Sequence, residues 1–137
     1  MNEPVDQSKA PFEPPSGWAH KFRYAFRGLV LGVASQSSFR VHIPMAVLVV
    51  ATACYLRVSL VELCVLLLSI ALVISLELVN SGLEFLAAEV TQNFSKRVES
   101  ALDVAAAAVL VASCFAIVIG LLILAPRIYI QWFVGAP

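Results

Sequence analysis

Apolar and polar positions along this chain first follow a helical period and then give way to long uninterrupted apolar runs. From Trp18 to about Ser35 the apolar residues Trp18, Phe22, Ala25, Phe26, Leu29 and Val33 recur at three- and four-residue spacing, while His20, Lys21, Arg23 and Arg27 fall on other faces. That period predicts an amphipathic helix, assigned here to residues 18–37. A basic polar side beside an aromatic apolar side suits a helix lying in the interface of an anionic membrane. The first apolar run, Ile43 to Leu56, is shorter than the ~20 residues that a span needs. It crosses only with its flanks, over about 41–57, and Pro44 is placed to bend it, because a proline ring meets the carbonyl four residues earlier.

Arg57 then marks an interface, and Ser59-Leu60-Val61-Glu62 fits the S-x-x-E capping box that opens a new helix. The next helix runs over 60–88, about 43 Å at ~1.5 Å per residue, against a hydrocarbon core of ~30 Å. Thr91 to Arg97 is polar and basic with no apolar period and reads as a loop. A last span over about 99–125 begins near Val98, and Pro126 and Arg127 are its expected stop. Residues 127–137 are expected to form a short C-terminal tail. Residues 1–17 hold Pro4, Pro11, Pro14 and Pro15 with scattered charge, the composition of a flexible tail. They lack the basic start and apolar core of a secretory signal.

Composition turns this pattern into a fold class. The 137 residues are 61% hydrophobic and only 13% charged, with a mean hydropathy of +0.91; soluble domains run near 45–50% apolar and about 25% charged. We therefore expect an all-α membrane protein with an N-terminal amphipathic interfacial helix plus three transmembrane helices. With this length, any chemistry must be built from the spans themselves. Net charge is zero, which gives no case for a nucleic-acid partner, and none is expected. Placing the N-terminus in the cytoplasm puts Lys9, Lys21, Arg23, Arg27, Arg40, Lys96 and Arg97 on the inner side and only Arg57 and Arg127 on the outer. The positive-inside rule favours that orientation. Cys54, Cys64 and Cys114 lie in apolar runs with no metal or disulfide spacing, and read as small buried hydrophobes.

Candidate chemistry lies where polarity interrupts the second span. Between Leu63 and Ala88 the ionisable residues are Glu77 and Glu84, accompanied by Ser75, Asn80 and Ser81. Positions 77, 80, 81 and 84 share one helix face, and a carboxylate inside a span is a functional hypothesis by default. Both glutamates fall near the cytoplasmic edge, a level also reached by Gln36 before the first span and by Asp103 early in the third. Such a set can bind a hard divalent cation through oxygen or supply a general base. The plainer alternative is a set of inter-helix hydrogen bonds, favoured for Ser75 and Ser81. Gly28 and Gly32, like Ala101, Ala105, Ala108 and Ala112, fit close helix packing. No phosphate loop, paired zinc histidines or Ser-His-Asp set is present.

Glu77-Leu78-Val79-Asn80-Ser81-Gly82-Leu83-Glu84 resembles the E-x-x-N-[ST]-A-[IL]-E signature of the prokaryotic diacylglycerol kinase family, which includes undecaprenol kinases. Gln36 to His42 is similar to that family's E-x-x-F-R segment, and Ala101 to Leu110 to its A-K-D-x-x-x-A-A-V-L. The resemblance covers roughly residues 18–125. It implies a homotrimeric, multi-pass enzyme of the bacterial inner membrane, an ATP-dependent lipid kinase. Such an enzyme transfers the γ-phosphate, with Mg²⁺, to the hydroxyl of diacylglycerol or undecaprenol at the cytoplasmic interface. It further implies Glu77 as general base with Asn80 orienting the reacting groups, Glu84 and Gln36 at the metal, and Tyr24, Asn93, Phe94, Ser95 and Asp103 at the nucleotide.

Three positions depart from the family pattern. Gln36 stands for the usual Glu, Leu102 for a Lys that would meet the phosphates, and Ala88 for an Asp. They motivate an alternative, a catalytically weakened member acting as a lipid-binding or assembly subunit. A small transporter using the carboxylates for protons or cations fits less well, because they lie at one membrane edge instead of the midplane.

Overall fold

The computed structural model describes residues 17–90 and 95–135, and its elements are all helical. Helix α1 spans Trp18–Ser35, α2 Phe39–Tyr55, α3 Leu60–Val90 and α4 Lys96–Tyr129, followed by a π-helical turn over Ile130–Val134. Asn93, Phe94 and most of the proline-rich segment lie outside the described residues. Helices α3 and α4 are each long and apolar enough to cross a membrane, and α2 is bent from α1 by 104°. The result is an all-α membrane protein, as the hydrophobic pattern predicts, with an N-terminal helix pair where that pattern predicts a surface helix and a first span.

Local chemistry accounts for each break. Gln36 leaves helical geometry at φ −99°, ψ 128°, while its N–H still donates to the Gly32 carbonyl. The Ser38 carbonyl then accepts from Val41 and His42 to start α2. That three-residue elbow turns α2 away from α1. At the other end of α2, Val58 N–H reaches Ala53 O and Arg57 N–H reaches Cys54 O, the paired bonds of a Schellman cap. Arg57 occupies its left-handed position at φ 50°, where a side chain costs about 1–2 kcal/mol relative to glycine. The capping box forms as the sequence predicts: Ser59 N–H donates to Glu62 Oε2 at 2.7 Å and Glu62 N–H to Ser59 Oγ at 3.3 Å.

Helix α4 departs from the expected boundaries at both ends. It begins at Lys96, with Ser95 Oγ accepting from Val98 N–H, so Lys96 and Arg97 form its first turn instead of lying in a loop. It also does not stop at Pro126–Arg127. The proline removes one backbone donor, but Ile130 N–H reaches the Pro126 and Arg127 carbonyls and the ladder continues with wider spacing. In an apolar medium backbone groups must be satisfied internally, and Ile128 to Val134 offers no charged residue to end the run. Arg127 is compatible with the helix because its Nη2 pairs with Glu62 Oε2 at 2.6 Å. Residues 127–134 therefore extend α4 and are not a separate tail.

The cysteines are a further correction: all three are free and face outward. Helices that are apolar all round carry no period separating lipid-facing from protein-facing positions. The densest helix pairing is α3 with α4, and the small core includes Phe39, Ala53, Leu66, Val73, Val109 and Ala112.

Close packing at the elbow depends on Gly32, the buried residue of α1. A Cβ there would lie 2.7 Å from Leu78 Cδ2 on α3. The neighbour is the end of a flexible side chain, so Gly32→Ala is expected to be absorbed. Gly32→Leu is expected to push α1 from α3, lowering stability by about 1–3 kcal/mol as overpacking does. Thermal unfolding in detergent, with limited proteolysis across 30–40, checks both.

Candidate active site at the elbow

The elbow between α1 and α2 sits against the polar face of α3. Phe39, 1% exposed, closes it from the α2 side, and Glu77, Asn80 and Ser81 are all buried beneath. Ser81 Oγ donates to the Glu77 carbonyl at 2.8 Å, satisfying the hydroxyl within the helix. The bond lies within α3 and is not the inter-helix bond expected for Ser81.

Glu84, half-buried one helical turn from Asn80, collects the cluster. Asn80 Nδ2 donates to its Oε1 at 2.8 Å, and Gln36 Nε2 reaches across from the elbow to its Oε2 at 2.8 Å. Both carboxylate oxygens are thus held by neutral amides from two different elements. Asn80 Oδ1 is left buried without a hydrogen-bond partner. Glu77 is 4% exposed, and among the described residues its carboxylate makes no hydrogen bond or ion pair. Glu77 keeps a little exposure, and the buried Asn80 oxygen beside Glu84 is the orphaned polar atom of the set.

The donor set bears on a cation. Among the described residues no three His, Cys, Asp or Glu side chains gather into a metal site. Mg²⁺, however, is held through one or two carboxylates with water and substrate phosphates completing its shell. Glu84, with the orphaned Asn80 oxygen beside it, fits that weaker requirement. Gln36 presents its amide nitrogen to Glu84, so it would join a cation only after turning its oxygen inward.

The nucleotide candidates are more dispersed. Tyr24 and Asp103 are exposed on α1 and α4, and neither is hydrogen-bonded to the cluster among the described residues. Tyr24 carries the Arg23 guanidinium over its ring at 5.7 Å. Ser95 is the N-cap of α4, and Lys96 and Arg97 are exposed in the turn that follows. Basic side chains there oppose the helix dipole, and together with the free N–H groups they favour an anion at that end.

Sequence reasoning missed two features of the site. Phe39 lies in the segment quoted for its resemblance, but its burial follows from the 104° bend. A groove of about 590 Å³ also runs between α2, α3 and α4, from Val41 and His42 at the elbow past Leu66 and Val73 to Leu124 and Ile128. Its lining is almost wholly apolar, and no periodicity in near-uniform apolar runs announces a groove.

Comparison with known proteins places these features together. The sequence profile described as prokaryotic diacylglycerol kinase matches residues 23–124. A protein named diacylglycerol kinase from Synechocystis sp. is 37% identical over 106 residues, 77% of this chain and 61% of that protein. The chain thus matches less than two-thirds of the relative's length. The elbow, the Glu77-to-Glu84 face of α3 and the start of α4 all lie inside the matched region, which covers most of the chain. The protein belongs to the prokaryotic diacylglycerol kinase family.

Proposed function

We propose that this protein is an ATP-dependent lipid kinase, transferring the γ-phosphate to the hydroxyl of diacylglycerol or undecaprenol at the cytoplasmic face of the membrane. The observation that carries the reading is Glu77, nearly buried and with no carboxylate partner among the described residues, on the same helix face as Asn80 and Glu84, within a chain of this family. Phosphoryl transfer asks a protein mainly for positioning and charge neutralisation, and these residues divide those tasks.

Glu77 accepts the proton of the lipid hydroxyl as that oxygen bonds to the γ-phosphorus and the bond to the ADP oxygen breaks. Asn80 ties the base's helix face to Glu84 and keeps an amide oxygen free for the incoming groups. Glu84 is the carboxylate that would hold Mg²⁺, with Gln36 joining through its amide oxygen. When bound, the ion neutralises charge on the phosphate oxygens. Asp103, Tyr24, Asn93, Phe94 and Ser95 are assigned to the nucleotide. The apolar groove suits the chain of a lipid that enters sideways from the bilayer while ATP arrives from water. With the basic residues of α1 and the start of α4 on the site face, the N-terminus is cytoplasmic and the membrane is the bacterial inner one. In this reading α2 completes a third crossing, and the apolar surface of α4 with its small-residue face supports a homotrimer.

Leu102 cannot meet a phosphate, so charge near the polyphosphate must come from elsewhere. Lys96 and Arg97, exposed in the first turn of α4, are assigned that role. Replacing both with Ala is expected to raise the KM for ATP about tenfold or more, with each single change giving a part of it. Unchanged ATP dependence in the double variant removes them from the nucleotide site.

A second reading, a weakened member acting as a lipid-binding or assembly subunit, draws on the two amides that occupy Glu84 and on the apolar Leu102. Purified protein offered each lipid alcohol in turn separates the readings. A kinase yields the phosphorylated lipid by mass, and the faster of the two alcohols names the substrate; binding of lipid without product supports the subunit.

A further inference from the structure

Beyond residue 124, where the match to the family ends, α4 and the π-helical turn carry the chain on to Val134, and past Ile128, at the end of the groove, the proposed reaction uses none of it. Tyr129, Ile130, Trp132 and Phe133 are all exposed there, the last two by 73% and 76%. The Tyr129 and Phe133 rings stack at 5.4 Å between centroids. Among the described residues the π-helical turn contacts α4 alone.

Three observations say what covers these rings. The uncharged stretch Val104–Pro126 is about 34 Å long at ~1.5 Å per residue, enough to fill a ~30 Å hydrocarbon core. When Asp103 stands at one edge, Arg127 stands at the other, and Tyr129 to Phe133 follow about 3–9 Å further out, within the headgroup layer. Glu62 pairs with Arg127 and itself caps the start of α3, so the segment is held beyond the α2–α3 turn with no helix to lean on. From Ile128 onward the sequence has Tyr, Gln and Trp but no Asp, Glu, Lys, Arg or His, and aromatic side chains with one polar atom favour that layer.

We propose that Ile128–Phe133 is an aromatic cuff seated in the uncharged or zwitterionic headgroup layer of the membrane face opposite the site, and that it sets the depth of α4. Depth needs setting. The apolar run of α4 is nearly uniform around and along the helix, so a slide of one turn changes little in its contact with hydrocarbon. Such a slide would carry Lys96, Arg97 and Asp103, and with them the site face of α3, out of level with the headgroups at the far end. The Glu62–Arg127 pair fixes α4 to α3, and the cuff fixes that pair of helices to the lipid. Because Arg127 is compensated and the rest is neutral, the attachment does not rely on anionic lipid. The surface helix α1, with Lys21, Arg23 and Arg27, differs from it in this respect.

The chain has two tryptophans, and Trp18 lies on the exposed α1, so W18F isolates Trp132. In phosphatidylcholine nanodiscs, Trp132 emission is expected to be quenched at least about twofold more by headgroup-level than by deep acyl-chain quenchers. Adding anionic lipid or salt leaves that ratio unchanged. A nitroxide on Cys114, in a C54S/C64S background, reports depth, and Y129S/W132S/F133S is expected to move it by about a helical turn, ~5 Å. The proposal is overturned if Trp132 is quenched only from water or mainly from the deep positions. It is also overturned if Trp132 is shielded from both phases, as a second copy packed on it would cause, or if the Cys114 label stays at one depth.

Discussion

Glu77→Gln is expected to abolish phosphoryl transfer to lipid, lowering kcat by about 10²–10⁴-fold, the range typical of a lost general base, while the fold is kept. The two halves of this expectation have one cause. Glu77 is 4% exposed, and among the described residues its carboxylate has no hydrogen-bonding or ionic partner. Glutamine has the same shape and no charge, so the substitution breaks no described contact and leaves the packing around position 77 as it was. A residue kept for structure behaves the opposite way, losing stability with activity. Initial rates at saturating ATP, set beside thermal unfolding of the same preparations, separate the roles. Near wild-type kcat in Glu77→Gln removes it from the chemistry.

The second large effect concerns position 36. Gln36 donates an amide hydrogen to Glu84 across the elbow, a neutral contact that needs no cation. Gln36→Glu sets a second carboxylate against Glu84, and like charges at that distance repel unless a cation lies between them. The variant is therefore expected to be destabilised in chelator and restored by Mg²⁺, so that its unfolding temperature rises with Mg²⁺ far more than the wild type's. Its half-saturating Mg²⁺ for transfer should fall, on the order of tenfold, because two carboxylates make a better oxygen site than one. Glu84→Gln should shift the Mg²⁺ requirement upward by about 10–100-fold. Identical Mg²⁺ dependence in all three proteins would place the cation elsewhere.

How much of this was legible in the sequence depends on the range of each interaction. The Ser59–Glu62 box is local, and its residues alone predicted the reciprocal bonds that form. The polar face of α3 was equally plain, because Glu77, Asn80, Ser81 and Glu84 stand out in an apolar run at helical spacing. The Gln36–Glu84 bond joins residues 48 positions apart and exists through the bend at Gln36–Ser38, which no periodicity reports. The Glu62–Arg127 pair is hidden in the same way.

The rule that makes Pro126 a stop holds in water. There a broken helix can give its backbone groups to solvent; along an apolar run it cannot, and the helix continues to Val134. Cysteines in apolar runs are usually buried in soluble domains, yet on these helices, whose surroundings are apolar, Cys54, Cys64 and Cys114 turn outward. The amphipathic α1 was legible because it alternates, whereas the packing faces of α3 and α4 were not, because neither alternates.

The central claim is that the buried face of α3 carries out phosphoryl transfer to a lipid hydroxyl. Its most direct test is label transfer from γ-labelled ATP, with Mg²⁺, in bilayers containing diacylglycerol or undecaprenol, run for wild type and Glu77→Gln together. The account predicts labelled phospholipid from one or both alcohols with wild type and a loss of at least about a hundredfold with Glu77→Gln. Absence of labelled lipid with either alcohol from folded wild-type protein, or equal labelling by the two proteins, would contradict it.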